Sequence, residues 1–164
     1  MPDQFNILDG GPSSVVLGAA ELGAVQNTPT LSNIDLLTPI WSMPDASTTS
    51  VSGSLFLHSL RPSWATFNLV AEFVNPTAGT GNVRMAHRVI HVSDAGSYNV
   101  GSDTSQTVTA AAQDVRHAHT MAAGLTMPTT GQITVIRIQR LGADGADTLA
   151  AAFGLVAIRL ERAS

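Results

Sequence analysis

The chain has 164 residues, of which 44% are hydrophobic and 12% charged, with a formal net charge of −4 and no cysteine. That composition excludes a disordered chain and a disulfide framework, and with them any thiolate metal site or cysteine nucleophile. All eight basic residues are arginine and lie scattered along the sequence, so there is no basic patch of the kind that binds nucleic acid.

The length fits one domain with an appended arm. The N-terminus, Met1-Pro2-Asp3-Gln4, has no charged segment followed by an apolar one, and no apolar run is long enough to cross a bilayer. Neither a secretion signal nor a membrane contact is therefore expected. The absence of lysine suits arginines held in fixed, fork-shaped hydrogen bonds at interfaces.

Residues 1–40 read as an extended N-terminal attachment arm, because Gly10-Gly11-Pro12, Pro29 and Pro39 punctuate them too closely for a compact unit. Within the arm, 15–25 fits a short helix capped by Ser13 or Ser14, or a strand. Residues 41–164 read as a β-sandwich domain. The segment 51–60 predicts a strand ended by Arg61-Pro62. In 66–74, Phe67, Leu69, Ala71 and Phe73 alternate onto one face, the period of a strand. A turn-rich loop follows over 75–81, then a strand over 82–92 and a long polar loop over 93–105. Strands are expected at 106–112, 115–127, 132–141 and 153–162, the last with Val156, Ile158 and Leu160 inward. Seven or eight strands without alternating helices predict an all-β, antiparallel sandwich of jelly-roll type.

Three features resemble the small jelly-roll domains of bacteriophage virion proteins, over about residues 41–162. They are Phe56 with Pro62-Ser63-Trp64, the step Gly81-Asn82-Val83, and a closing hairpin of Ile133 to Arg140, Asp144 to Leu149 and Leu155 to Leu160. Arg84-Met85 stand where such domains often carry an aromatic residue. The resemblance implies a non-enzymatic, usually trimeric protein of the head decoration, head-fibre or tail-associated kind.

The residues offer little chemistry of their own. Asp144-Gly145-Ala146-Asp147-Thr148 has two carboxylates at a glycine bend, as a Ca²⁺ loop has, but Ala146, Leu149 and Ala150 occupy ligand positions. The loop is read as a turn, with Asp147 and Thr148 bonding local backbone and an arginine, Arg137 or Arg140, pairing with Asp147. His87 and His91 are four apart and His117 and His119 two apart. On strands these read as isolated surface or interface histidines, and a four-histidine metal site would require the two strands to pair. There is no Gly-x-Ser-x-Gly elbow and no phosphate loop. Trp41 is expected to anchor the arm and Trp64 to plug one end of the sandwich. Tyr98 is the other large amphipathic aromatic, and exposed rings of this kind would mark a glycan platform.

The expected function is that of a capsid decoration (cement) protein. As a homotrimer it would bind the major capsid protein or another virion protein on the capsid surface, with no catalytic residue, cofactor or metal. The alternative is a tail-fibre or receptor-binding module for host glycans. A ligand-binding sandwich of lectin type is a third possibility.

Overall fold

A computed structural model describes residues 14–27, 29–33, 38–96 and 102–163. Eleven strands among them form two antiparallel sheets, the jelly-roll sandwich expected from the sequence. They are β1 (Ser14–Gly18), β2 (Gly23–Gln26), β3 (Thr30–Asn33), β4 (Pro39–Met43), β5 (Thr48–Leu55), β6 (Thr66–Val74), β7 (Asn82–Val92), β8 (Thr104–Thr109), β9 (His117–Thr126), β10 (Ile133–Leu141) and β11 (Phe153–Arg162). One sheet runs β3-β4-β11-β6-β9, with β1 also pairing β11. The other runs β2-β5-β10-β7-β8.

The core follows from strand alternation. Phe67, Leu69, Ala71 and Phe73 of β6 are fully buried, as are Phe153, Leu155, Ile158 and Leu160 of β11. Val51, Met85, Ile136 and Ile138 meet them from the second sheet. Phe73 and Phe153 stack with ring centres 4.9 Å apart. A register shift between Leu155 and Ala157 moves Val156 off the inner face, and Ile158 takes up the alternation.

Three local readings differ from expectation. Leu57–Leu60 is a short helix, α1, not the end of a strand. The chain leaves the sheet after Leu55, and Leu57 turns fully into the core. The segment 15–25 is neither one helix nor one strand: β1 and β2 flank a 3₁₀ turn at Ala19–Glu21. From Ser14 to Asn33, the described residues of the expected arm pair within the sandwich: β1 with β11, β2 with β5 and β3 with β4. Residues 1–13 and 34–37 lie outside the described residues.

Candidate functional site

On the outer side of the β2-β5-β10-β7-β8 sheet, polar and apolar side chains meet around a depression. Cross-strand register defines it. Ile136, Ile138 and Arg140 of β10 point inward opposite Gly53, Val51 and Thr49, so Val135, Arg137 and Gln139 point outward opposite Ser54, Ser52 and Ser50. Ser52 and Ser54, with Gly53, Ile133, Val135 and Glu21, line a shallow, open depression of about 330 Å³. Glu21 stands in the 3₁₀ turn before β2, its carboxylate accepting a hydrogen bond from the Gly18 N–H. At the far end Leu55 pairs with Thr134, which puts Phe56 level with Ile133. Phe56 is 51% exposed, among the described residues the most exposed large hydrophobic one after Val25.

Toward the other end the face becomes ionic. Arg137 and Arg88 are direct cross-strand partners. Like charges so placed repel, and Asp103, just before β8, sits between them. Its carboxylate accepts from Arg137 Nη2 at 2.6 and 2.7 Å and from Arg88 Nε at 3.0 Å. Burial alone would push the Asp103 carboxyl up, but the hydrogen bonds and charges of Arg137 and Arg88 outweigh it and hold its pKa below the usual carboxylate value. Beyond this triad Gln139 Nε2 donates to Gln26 Oε1 at 3.2 Å, in the row that holds the fully buried Ser50. That amide pair closes the face on this side.

The closing hairpin has a different role. The Arg140 guanidinium has no exposed surface. It donates to Asp147 Oδ2 at 2.9 Å and Oδ1 at 2.8 Å, and to the carbonyls of Met43, Ala151 and Leu149. Asp147 also accepts from the Arg84 N–H, and Thr148 Oγ1 accepts from the Asn82 N–H at 2.9 Å. The Asp144 carboxylate accepts from the Ala146 N–H at 2.8 Å, the mark of a side-chain-supported turn. Every one of these oxygens is aimed at the protein's own donors. The loop is a fastener for β7 and β10, and Arg140 is the arginine that serves it. Arg137 belongs to the outer face.

Both tryptophans are buried. The Trp41 indole N–H donates to the Ala19 carbonyl at 2.7 Å, which ties β4 to the 3₁₀ turn. Trp64 is 5% exposed, with the Arg61 guanidinium 5.9 Å from its ring centre. Neither can serve as a stacking platform, and Tyr98 lies outside the described residues. The histidines are dispersed within the sandwich. His91 bonds Thr134 Oγ1 and the Thr126 carbonyl, while His117 packs against Phe73 and Phe153. Among the described residues no group of three or more His, Asp or Glu is arranged to hold a metal ion.

Glu21, Ser52, Ser54, Phe56, Arg88, Asp103, Ile133 and Val135 were not singled out by the sequence as a ligand site. The alternation of serines at 50, 52 and 54 was the available signal, since period two puts all three on one face.

No protein-family model matches the chain, and no curated protein matches it. Solved structures do match in fold. A GH26-CBM35 β-(1,4)-mannanase from Podospora anserina superposes with a TM-score of 0.59 at 11% identity, over 94% of this chain and 28% of the mannanase chain. The CBM36-1 domain of a multidomain xylanase from the hindgut metagenome of Trinervitermes trinervoides gives 0.56 at 10% identity, over 92% of this chain and 98% of that domain. A CBM35 from Cellvibrio japonicus gives 0.53 at 11% identity, over 93% and 95%. The chain thus spans little more than a quarter of the mannanase but nearly the whole of two free-standing modules. At such identities the likeness is one of fold, the jelly-roll sandwich of carbohydrate-binding modules.

Proposed function

We propose that the protein is a non-catalytic glycan-binding module and that the outer face of the β2-β5-β10-β7-β8 sheet is its binding surface. The observation that carries this reading is the depression between β5 and β10. It sets the Ser52 and Ser54 hydroxyls and the Glu21 carboxylate around apolar Ile133 and Val135, with exposed Phe56 level with one end. A sugar ring needs that mixture: an apolar surface for its C–H face and donors and acceptors for its hydroxyls. The shared architecture with carbohydrate-binding modules supports the same reading. Affinity electrophoresis through gels containing soluble polysaccharides tests it. Retardation by at least one polysaccharide is expected, weakened several-fold in Phe56→Ala, and free migration through every gel would refute it.

The second reading is a trimeric capsid decoration protein of a bacteriophage. It rests on the sequence pattern of the closing hairpin. The Arg140–Asp147–Thr148 fastener that underlies this pattern serves folding equally well in either function. A monomeric mass by light scattering, together with no binding to assembled heads, counts against it.

A further inference from the structure

We propose that the glycan taken by this face is acidic, with its anionic group received by Arg137 beside Ser52. The inference rests on the glycan-binding reading and narrows its ligand. Two guanidinium groups, Arg88 and Arg137, share the single carboxylate of Asp103, so the triad carries one uncompensated positive charge. It is open to solvent, with the three side chains 22–30% exposed. Arg137 is one outward position along β10 from Val135 and directly opposite Ser52, both of which line the depression. Arg84 adds a third guanidinium on the outer side of β7. It is held by Thr107 and Ser105 hydroxyls and lies 4.0 Å from Asp144.

The depression therefore has two unlike poles. The Glu21 end offers acceptors, and its carboxylate would repel an anion but accept from sugar hydroxyls. The Arg137 end offers charged donors. A pyranose bearing both hydroxyls and one anionic group satisfies both poles in a single orientation, whereas a neutral sugar leaves the excess charge unanswered. Asp103 is a positioning residue here. By clamping both arginines it holds them side by side against their mutual repulsion.

Carboxylate and sulfate esters share this chemistry, and calorimetric titration of the intact chain separates them. The probes are an oligogalacturonate, a sulfated galactan oligosaccharide, and neutral galacto- and xylo-oligosaccharides of equal length. At least one anionic probe is expected to bind ten-fold or more tightly than the neutral ones, with the advantage shrinking as salt rises from about 20 to about 500 mM. Arg137→Gln is expected to remove that advantage while lowering the melting temperature by no more than about 4 °C, and Arg137→Lys to keep part of it. Equal binding of neutral and anionic probes overturns the inference and leaves the glycan reading standing. So does an advantage that survives Arg137→Gln. No binding of any probe class, in a protein that also passes freely through every polysaccharide gel, overturns both.

Discussion

Arg140 and Arg137 sit three residues apart on one strand, so they face opposite sides of the sheet. Arg140 faces the core, where all its donors are satisfied by Asp147 and three carbonyls. Removing one member of a buried ion pair strands the other, at a cost of about 3–5 kcal/mol. Arg140→Met is therefore expected to lower the unfolding free energy by that amount in urea titrations. Arg137→Gln, which breaks a pair at the surface, is expected to cost under about 1 kcal/mol.

The histidines set a second residue-scale expectation. Burial lowers the pKa of His87, His91 and His117 below 6.5, with His119 adding to the effect at His117. The charge of Asp103 at His87 and the Thr126 carbonyl at His91 offset only part of it. The unfolded chain then takes up protons near its ordinary pKa, which the folded chain accepts only at lower pH. Stability should thus be level above about pH 7 as far as these groups are concerned, and should fall as pH drops through about 6.5. Asp103 acts in a separate window: its contribution is complete above the ordinary carboxylate value of 3.8 and is lost only as pH falls through its lower folded-state value. Urea midpoints between about pH 7.5 and about pH 5 check the histidine effect, and His117→Phe should flatten the decline.

At the scale of elements, the hairpin between β10 and β11 shows which positions tolerate change. A Cβ on Gly142 would lie 1.9 Å from the Asp45 carbonyl oxygen, whereas a Cβ on Gly145 would meet nothing within 4 Å. Backbone pressed on backbone has no rotamer escape. Gly142→Ala is expected to destabilise by about 1–3 kcal/mol or more, and Gly145→Ala to leave the melting temperature nearly unchanged. Thermal melts of the two variants give a direct contrast.

The same scale shows what the sequence makes legible. In β6 and β11 apolar residues recur along the face that meets the core, Phe67, Leu69, Ala71 and Phe73 in the one and Phe153 and Leu155 in the other, so these strands can be read directly. The pairing of Asp147 with an arginine on the preceding strand is legible too, because both partners lie within one hairpin. The segment before residue 40 is not. β1, β2 and β3 are four or five residues long and separated by turns, and β2 is exposed throughout. β1 and β2 pair with the distant β11 and β5, and β3, though it pairs with neighbouring β4, is too short to show a period. Leu57–Leu60 is missed for a related reason, since a single helical turn is too short to display the helical period.

For the whole molecule, function rests on how distant segments are brought side by side. Glu21, Ser52, Val135 and Arg137 come from three separate stretches of chain, and Asp103 from a fourth. Only the order β2-β5-β10-β7-β8 makes them neighbours. That is why the candidate face leaves no motif in the sequence, while the fastener at Asp144–Thr148 leaves a conspicuous one. Under the proposed reading the apolar surface for a sugar ring comes from Ile133 and Val135 in the depression and from exposed Phe56 beside it, since Trp41 and Trp64 are buried.

The most direct measurement is an NMR titration of backbone amides with whichever oligosaccharide retards the protein in affinity gels. Saturable shifts are predicted at Ser52, Ser54, Phe56, Val135 and Arg137, with little change along β6 and β9. Shifts confined to the opposite sheet, or none at saturating sugar, would contradict the assignment of this face as the binding surface.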